Sequence, residues 1–318
     1  MAMNKYRRLW LVMAVAFLAA GCSARQADSP TTQRTEVATP AVVRVGYTVR
    51  NLKGGVAFFR DVLDFEPLAP VQVPKGEPTE TMPARVARLE LGAEQIELTE
   101  YSTPGRPIPE DSASNDLWFE HLAIVVSDMD RAYERLVEHG VSPVSIGGPQ
   151  TIPMSNPAAG GIRAFYFEDP EHHVLELIWY PADKGSARWH ESGRLFLGID
   201  HTAIAVSSTD RSLAFYEGML GFVKAGESLN HGREQAALSG VDGARVRITG
   251  LAGKRGMGVE LLEYLEPGPG RPIPPDTRPE DAWHWEIAIA GPNPASASNV
   301  LRDPDRHVLR VVGAESEP

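Results

Sequence analysis

Three histidines and three glutamates recur at matching places along this 318-residue chain, and both residue types bind metal ions and move protons. His121, His201 and His284 each open an apolar stretch, HLAIVV, HTAIAV and HWEIAI. Glu97, Glu176 and Glu260 each lie inside a second kind of run, IELTEY, HVLEL and VELLEY. Neutral imidazole and carboxylate both ligate borderline divalent ions, and a carboxylate can also act as a general base. A lone histidine in a strand is more often satisfied within the sheet than a ligand; recurrence changes that reading. His201 alternates with Ala203 and Ala205, so small residues on its face, like Ala123 after His121, leave room for a ligand.

The elements around these residues repeat as well. After the His201 strand, Ser207 to Asp210 supply cap-type residues for a helix carrying Leu213, Tyr216 and Leu220, which Gly221 is expected to end. The same strand-then-helix pattern starts at Arg44, His121 and, in shorter form, His284. Aligned on these letters, the first-strand position reads Arg44, His121, His201 and His284, and the last-strand position reads Glu97, Glu176, Glu260 and Arg310. A unit of roughly sixty residues is too long for a solenoid repeat and suits one strand, one helix and three strands. The fourth unit is short and has no room for its helix and middle strands.

On these residues the chain resembles the vicinal oxygen chelate superfamily of glyoxalase I, bleomycin-resistance proteins and extradiol dioxygenases. The resemblance covers about Val42 to Val312. It implies an α+β fold of four βαβββ modules, the fourth truncated, forming two paired-module domains with curved mixed sheets. The first domain is expected over 42–181, with modules 42–112 and 117–181. The second is expected over 195–314, with modules 196–276 and 282–314.

Members of the superfamily build a metal site from two modules, so pairing decides the chemistry. Pairing in chain order joins modules three and four and offers His201, Glu260 and His284, a two-histidine, one-carboxylate set suited to Fe(II). Pairing module two with three, and one with four, offers His121, Glu176, His201 and Glu260. It leaves both arginines, Arg44 and Arg310, with Glu97 and His284. The second pairing is preferred because every loss then falls in one site. The resemblance further implies a divalent ion (Zn, Ni, Fe or Mn), Glu176 as base with Glu260 opposite, and a small substrate with adjacent oxygens. The reaction expected is that of a lyase or isomerase, by proton abstraction alpha to a carbonyl. A ring-cleaving dioxygenase and a non-catalytic binding protein stand as alternatives. Glutathione contacts are not reproduced: Ala205, Val125, Leu117, Tyr101 and Tyr264 stand where glyoxalases carry arginine or asparagine.

Residues 1–22 read as a signal peptide, with Lys5, Arg7 and Arg8 before the apolar run Leu9 to Ala20. Leu18-Ala19-Ala20-Gly21-Cys22 resembles a lipobox, and Cys22 is the sole cysteine, which excludes an intrachain disulfide. Export and lipid anchoring at Cys22 on the periplasmic side, at the outer membrane, are expected, with 23–41 as a flexible tether. The net charge of −11, more negative still without the leader, argues against nucleic acid and against membrane contact beyond the anchor. Internal duplication makes a monomer the expectation. Two Pro-rich crossovers, STPGRPIPED and LEPGPGRPIPPD, carry Arg106 and Arg271, which are expected to anchor them. Segments 155–162 and 228–235 are candidate lids, and His231 a candidate acid or base.

Overall fold

The computed structural model describes residues 39–70, 83–190, 193–291 and 299–313. The leader, Cys22 and most of the tether lie outside the described residues. Module one comprises β1 (Ala41–Thr48), α1 (Leu52–Leu63), β2 (Glu66–Pro67), β3 (Pro83–Leu91) and β4 (Glu94–Tyr101). Module two comprises β5 (Glu120–Val126), α2 (Met129–Glu138), β6 (Gln150–Thr151), β7 (Arg163–Glu168) and β8 (Val174–Trp179). Module three comprises β9 (Phe196–Ala205), α3 (Thr209–Tyr216), β10 (Val223–Asn230), α4 (Gly232–Ser239), β11 (Arg245–Ala252) and β12 (Gly258–Glu266). Module four has β13 (Trp285–Ala290), β14 (Val300–Arg302) and β15 (Val308–Val312), so contrary to expectation it keeps a middle strand, because three residues suffice for β14 to pair with β15.

The helices begin where their side chains can take up free backbone N–H groups. Asn51 accepts from Gly54 N, Asp128 from Asp130 N and Arg131 N, and Ser208 from Arg211 N. The third helix stops at Tyr216, short of Gly221. Its last turns close instead by a wrapped bond from Phe222 N to Tyr216 O, with Gly221 at φ 80°. Met129, Ala132 and Leu136 of α2 recur at helical spacing, and all three are buried.

Two curved mixed sheets result. One runs β14-β15-β13-β1-β4-β3-β2, the other β10-β11-β12-β9-β5-β8-β7-β6. Each sheet therefore joins modules from both halves of the sequence: one with four through β1 and β13, two with three through β5 and β9, both antiparallel. Along β4 the alternation is regular, with Ile96 and Leu98 buried and Glu97 and Thr99 on the other face. Leu98, Leu122, Ile124, Ile204, Leu261 and Ile287 all lie in one apolar core to which both sheets contribute. Among the described residues, no helix is long and apolar enough to cross a membrane.

The two crossovers clasp each other. Arg106 binds Asp281 (Nη2 to Oδ2, 2.7 Å) and Asp276, and lies 4.7 Å over the Trp283 ring. Arg271 repeats this with Asp116 (2.7 Å), Asp111 and Trp118 at 4.6 Å. Both arginines anchor the chain and neither is offered to a ligand cavity.

Candidate metal centre

At the middle of the eight-stranded sheet, β5 and β9 run side by side with β8 and β12 as their parallel outer neighbours. The register sets His121 opposite Ala203 and Ala123 opposite His201, while Ala123 also pairs Glu176 and Ala203 pairs Glu260. Those pairings bring the four side chains together on one face. His121 Nε2 lies 3.1 Å from Glu176 Oε2, and His201 Nε2 lies 3.5 Å from the same oxygen and 3.3 Å from Glu260 Oε2. Ligand atoms of His121, Glu176 and His201 all fall within 4.8 Å of one another, the only such group among the described residues. Glu260 reaches the cluster through His201.

The surroundings of the two imidazoles differ. His201 Nδ1 is 2.9 Å from Asp200 Oδ2, and Asp200 also accepts from Tyr180 OH (3.0 Å) and Trp189 Nε1 (2.7 Å). With Nδ1 so engaged, Nε2 is the nitrogen turned to the two glutamates. A β-bulge makes the contact possible: Ala123 pairs His201 but Ile124 pairs Ile199, so Asp200 is the unmatched residue and can turn toward its neighbour. His121 has aromatic walls instead, with Tyr166 and Phe119 ring centroids at 4.8 and 5.6 Å.

Both ring nitrogens of His121 and Nε2 of His201 are buried without a hydrogen-bond partner. Unmade polar contacts at such depth are costly. Two imidazoles facing a carboxylate therefore fit a divalent ion, which would take the place of the proton on His201, and could hold one. Burial lowers the His121 pKa, outweighing the Glu176 contact. Burial also works against a charged His201, yet the Glu260 charge, the bond to Asp200 and the nearness of Glu176 prevail and hold it well above the usual range. Glu176 is held low because the His121 and His201 imidazoles close to its carboxylate outweigh its burial. Glu260 is raised by burial and by the charges of Glu176 and Asp200, with His201 opposing.

A cavity of about 1170 Å³ reaches the cluster from one side, where His201, Glu260, Asp200, Tyr180, Arg188 and Ile248 form its wall. His121 and Glu176 sit behind, 0% and 5% exposed. The alanines do not hold this space open. Ala203 and Ala205 are buried in one apolar cluster with Phe119, Tyr166, Leu238 and Tyr264, and Ala123 in another with Ile178 and Trp189. Helix α4, unforeseen in the sequence, supplies Leu238. The segment 228–235 therefore divides between β10 and α4, and His231 is an exposed residue just before that helix, away from the cluster.

His284 is not brought to His201. It lies on the other sheet, one residue ahead of β13, so His201, Glu260 and His284 do not form a group. The pairing explains why. Gly46 faces both Glu97 and Glu286, as Ala203 faces Glu260 and His121; Ala288 faces both Arg310 and Arg44, as Ala123 faces Glu176 and His201. The counterpart of His121 is thus Glu286. Ile287-Ala288-Ile289 matching Leu122-Ala123-Ile124 is the signal that would have given this alignment. Asp200 carried a weaker one: Ile199 falls two residues before His201, where simple alternation would put an apolar core residue on the site face.

Comparison with curated protein sequences returned no match. Among solved structures, glyoxalase I from Zea mays is similar at 14% identity, with 86% of this chain and 92% of that chain covered and a TM-score of 0.53. A candidate dioxygenase from Bacillus subtilis is similar at 13% identity, with 88% and 87% covered and a TM-score of 0.54. At such identities the likeness concerns the fold. The model of the glyoxalase/bleomycin resistance protein/dioxygenase superfamily matches residues 41–177 and 198–263, more than half the sequence, and the chain belongs to that superfamily.

Proposed function

We propose that the chain is a metal-dependent lyase or isomerase of glyoxalase type, acting on a small molecule with adjacent oxygens. The observation that carries this reading is the convergence of partnerless His121 and His201 nitrogens on Glu176, beside a cavity wall that holds Glu260. His121, Glu176 and His201 would hold the ion, with Glu260 beside them. A divalent ion there supplies Lewis acidity toward paired substrate oxygens.

The chain's own residues divide the remaining work. Glu260 has 28% of its side chain exposed toward the cavity, and its raised pKa suits it to take a proton alpha to a carbonyl and return it to the adjacent carbon. Glu176, buried and held low by two imidazoles, is the weaker base of the pair. Asp200 fixes the orientation of His201, while Tyr180 and Trp189 hold Asp200 in turn.

Elemental analysis of the purified protein tests the reading, with His201→Ala and His284→Ala alongside. About one ion should be bound, lost with the first substitution and kept with the second. Solvent deuterium should then enter alpha-hydroxy ketone substrates only with the loaded protein and not with Glu260→Gln. Failure to bind Zn, Ni, Fe or Mn would leave a small-molecule binding protein.

A dioxygenase reading has one observation in its favour: two histidines and one carboxylate with Tyr166 against His121 also suit Fe(II) and oxygen. Oxygen uptake with catechols by the Fe(II)-loaded chain would favour it over the isomerase. Export and anchoring through Cys22 form part of the proposal, and Cys22→Ser should move the protein from membranes to the soluble fraction. Satisfaction of both module pairings within one chain supports a monomer, which sedimentation would measure.

A further inference from the structure

Beside the main cavity lies a second of about 300 Å³, and Ala158, Glu227 and Ser228 stand in the walls of both. It is bounded by the loop around Asn156, the end of β10 and the first turns of α4. Module two has no helix between β6 and β7, so this wall is particular to module three.

Gln235 lines this cavity and is 2% exposed, yet its carboxamide makes no hydrogen bond to the protein, and Oε1 is fully buried. An amide has two donor hydrogens and an acceptor oxygen, and leaving them unmade at this depth is unfavourable. Leucine would fill the same volume without that cost. Asn230, 6% exposed, accepts from Ser228 Oγ (3.0 Å) and Asn156 Nδ2 (2.8 Å), while its own Nδ2 donates to no protein group. Asn156 is itself fixed, its Oδ1 accepting from Ala158 N and Ala159 N at 3.0 and 2.9 Å. Charge does not dominate the lining. Glu227 is matched by Lys224 Nζ at 2.9 Å and Arg247 Nε at 3.0 Å, and His231 lies at the exposed rim. Free amide donors, without net charge, select a neutral ligand that offers acceptor oxygens.

We infer that this cavity is a substrate subsite in which the Gln235 and Asn230 amides donate to the oxygens of a neutral group, a carboxamide or a hydroxyl pair, remote from the reacting carbons. The placement of that group on the substrate rests on the proposed function; binding at the subsite does not require the metal. Acetamide and methyl β-glucoside serve as probes of the two sources, titrated to the limit of solubility into the ¹⁵N-labelled full chain. One or both should shift the side-chain amide signals of Gln235 and Asn230 saturably, and do so equally in His201→Ala. That variant separates failure of the subsite from failure of the metal centre. Gln235→Leu should abolish the Asn230 shift and melt about 2–6 °C higher, because a buried unpaired amide is gone. Gln235→Met provides the same test if leucine packs poorly. Absence of any shift with either probe, or lower melting temperatures in both variants, would overturn the inference.

Discussion

The two sheets present four equivalent positions and fill them in opposite ways. In one they are His121, Glu176, His201 and Glu260; in the other Glu286, Arg310, Arg44 and Glu97. With neutral imidazoles the first set carries two negative charges that match a divalent cation. The second carries two of each sign and neutralises itself. Arg310 Nη2 lies 2.6 Å from Glu286 Oε2, Arg44 Nε 3.3 Å from Glu97 Oε2, and Arg88 Nε 2.7 Å from the same oxygen. Even the bulge is shared, since Val43 is the unmatched residue before Arg44 as Asp200 is before His201. Backbone geometry is therefore common to both sheets, and the charge on the side chains separates a candidate metal centre from a set of ion pairs.

The largest effect should come from converting one set into the other. Arg44→His, Glu286→His and Arg310→Glu, with Arg88→Gly because Gly250 occupies that place opposite Glu260, would leave two histidines and two glutamates. The expected result is a second bound ion per chain by elemental analysis, insensitive to His284→Ala. A chain that still binds one ion would mean that strand register alone does not make the two places equivalent.

The crossovers offer a comparison in which the halves should agree. Asp281 and Asp116 have side chains 0% and 3% exposed, and each accepts two backbone N–H groups besides one guanidinium from the opposite crossover. Removing the guanidinium leaves each buried carboxylate with only its backbone donors, so Arg106→Ala and Arg271→Ala should each destabilise by about 1–3 kcal/mol. Urea denaturation should give values within about 1 kcal/mol of each other. A large inequality would show that one clasp matters more than its geometry suggests.

His284 gives the second sheet an acid sensitivity of its own. Burial lowers its pKa to about 4, with Arg302 and Arg310 helping and Glu286 and Asp281 opposing. The unfolded chain binds this proton below about pH 6.5 and the folded chain only near 4, so stability is complete above 6.5 and lost as pH falls through that window. The loss should approach roughly 3 kcal/mol at pH 4. His284→Leu should flatten the fall of the urea midpoint between those values, and an unchanged fall would assign the acid sensitivity to other groups.

Much of this fold is legible in the sequence because alternation, cap residues and repetition are local signals. Ile96, Glu97 and Leu98 announce their faces by periodicity, and Asp128 and Ser208 announce their helices by hydrogen-bonding chemistry. The four site positions follow from setting one module beside another. What escapes is non-local. Matching His284 to His201 followed a shared letter, whereas strand pairing follows the apolar frame Ile287-Ala288-Ile289. Helix α4 packs on β6, β7 and β11, and nothing in HTAIAV reveals that Ala203 and Ala205 share a buried cluster with its Leu238.

The smallest effect concerns the bulge. Asp200 accepts from three donors, His201, Tyr180 and Trp189, while Val43 in the equivalent place accepts from none. Asp200→Asn keeps the shape but removes the charge and turns one acceptor into a donor, so at least one contact must break. Outer partners of this kind typically change metal affinity by about 10–100-fold. The expected result is a loss of that size in the ion's dissociation constant, with a change in Trp189 fluorescence because its indole N–H has lost a carboxylate. In the converted second sheet, adding Val43→Asp should strengthen the new site by a similar factor. Weakening in one sheet without strengthening in the other would mean that the bulge serves His201 only together with Tyr180 and Trp189, which belong to the segment between modules two and three.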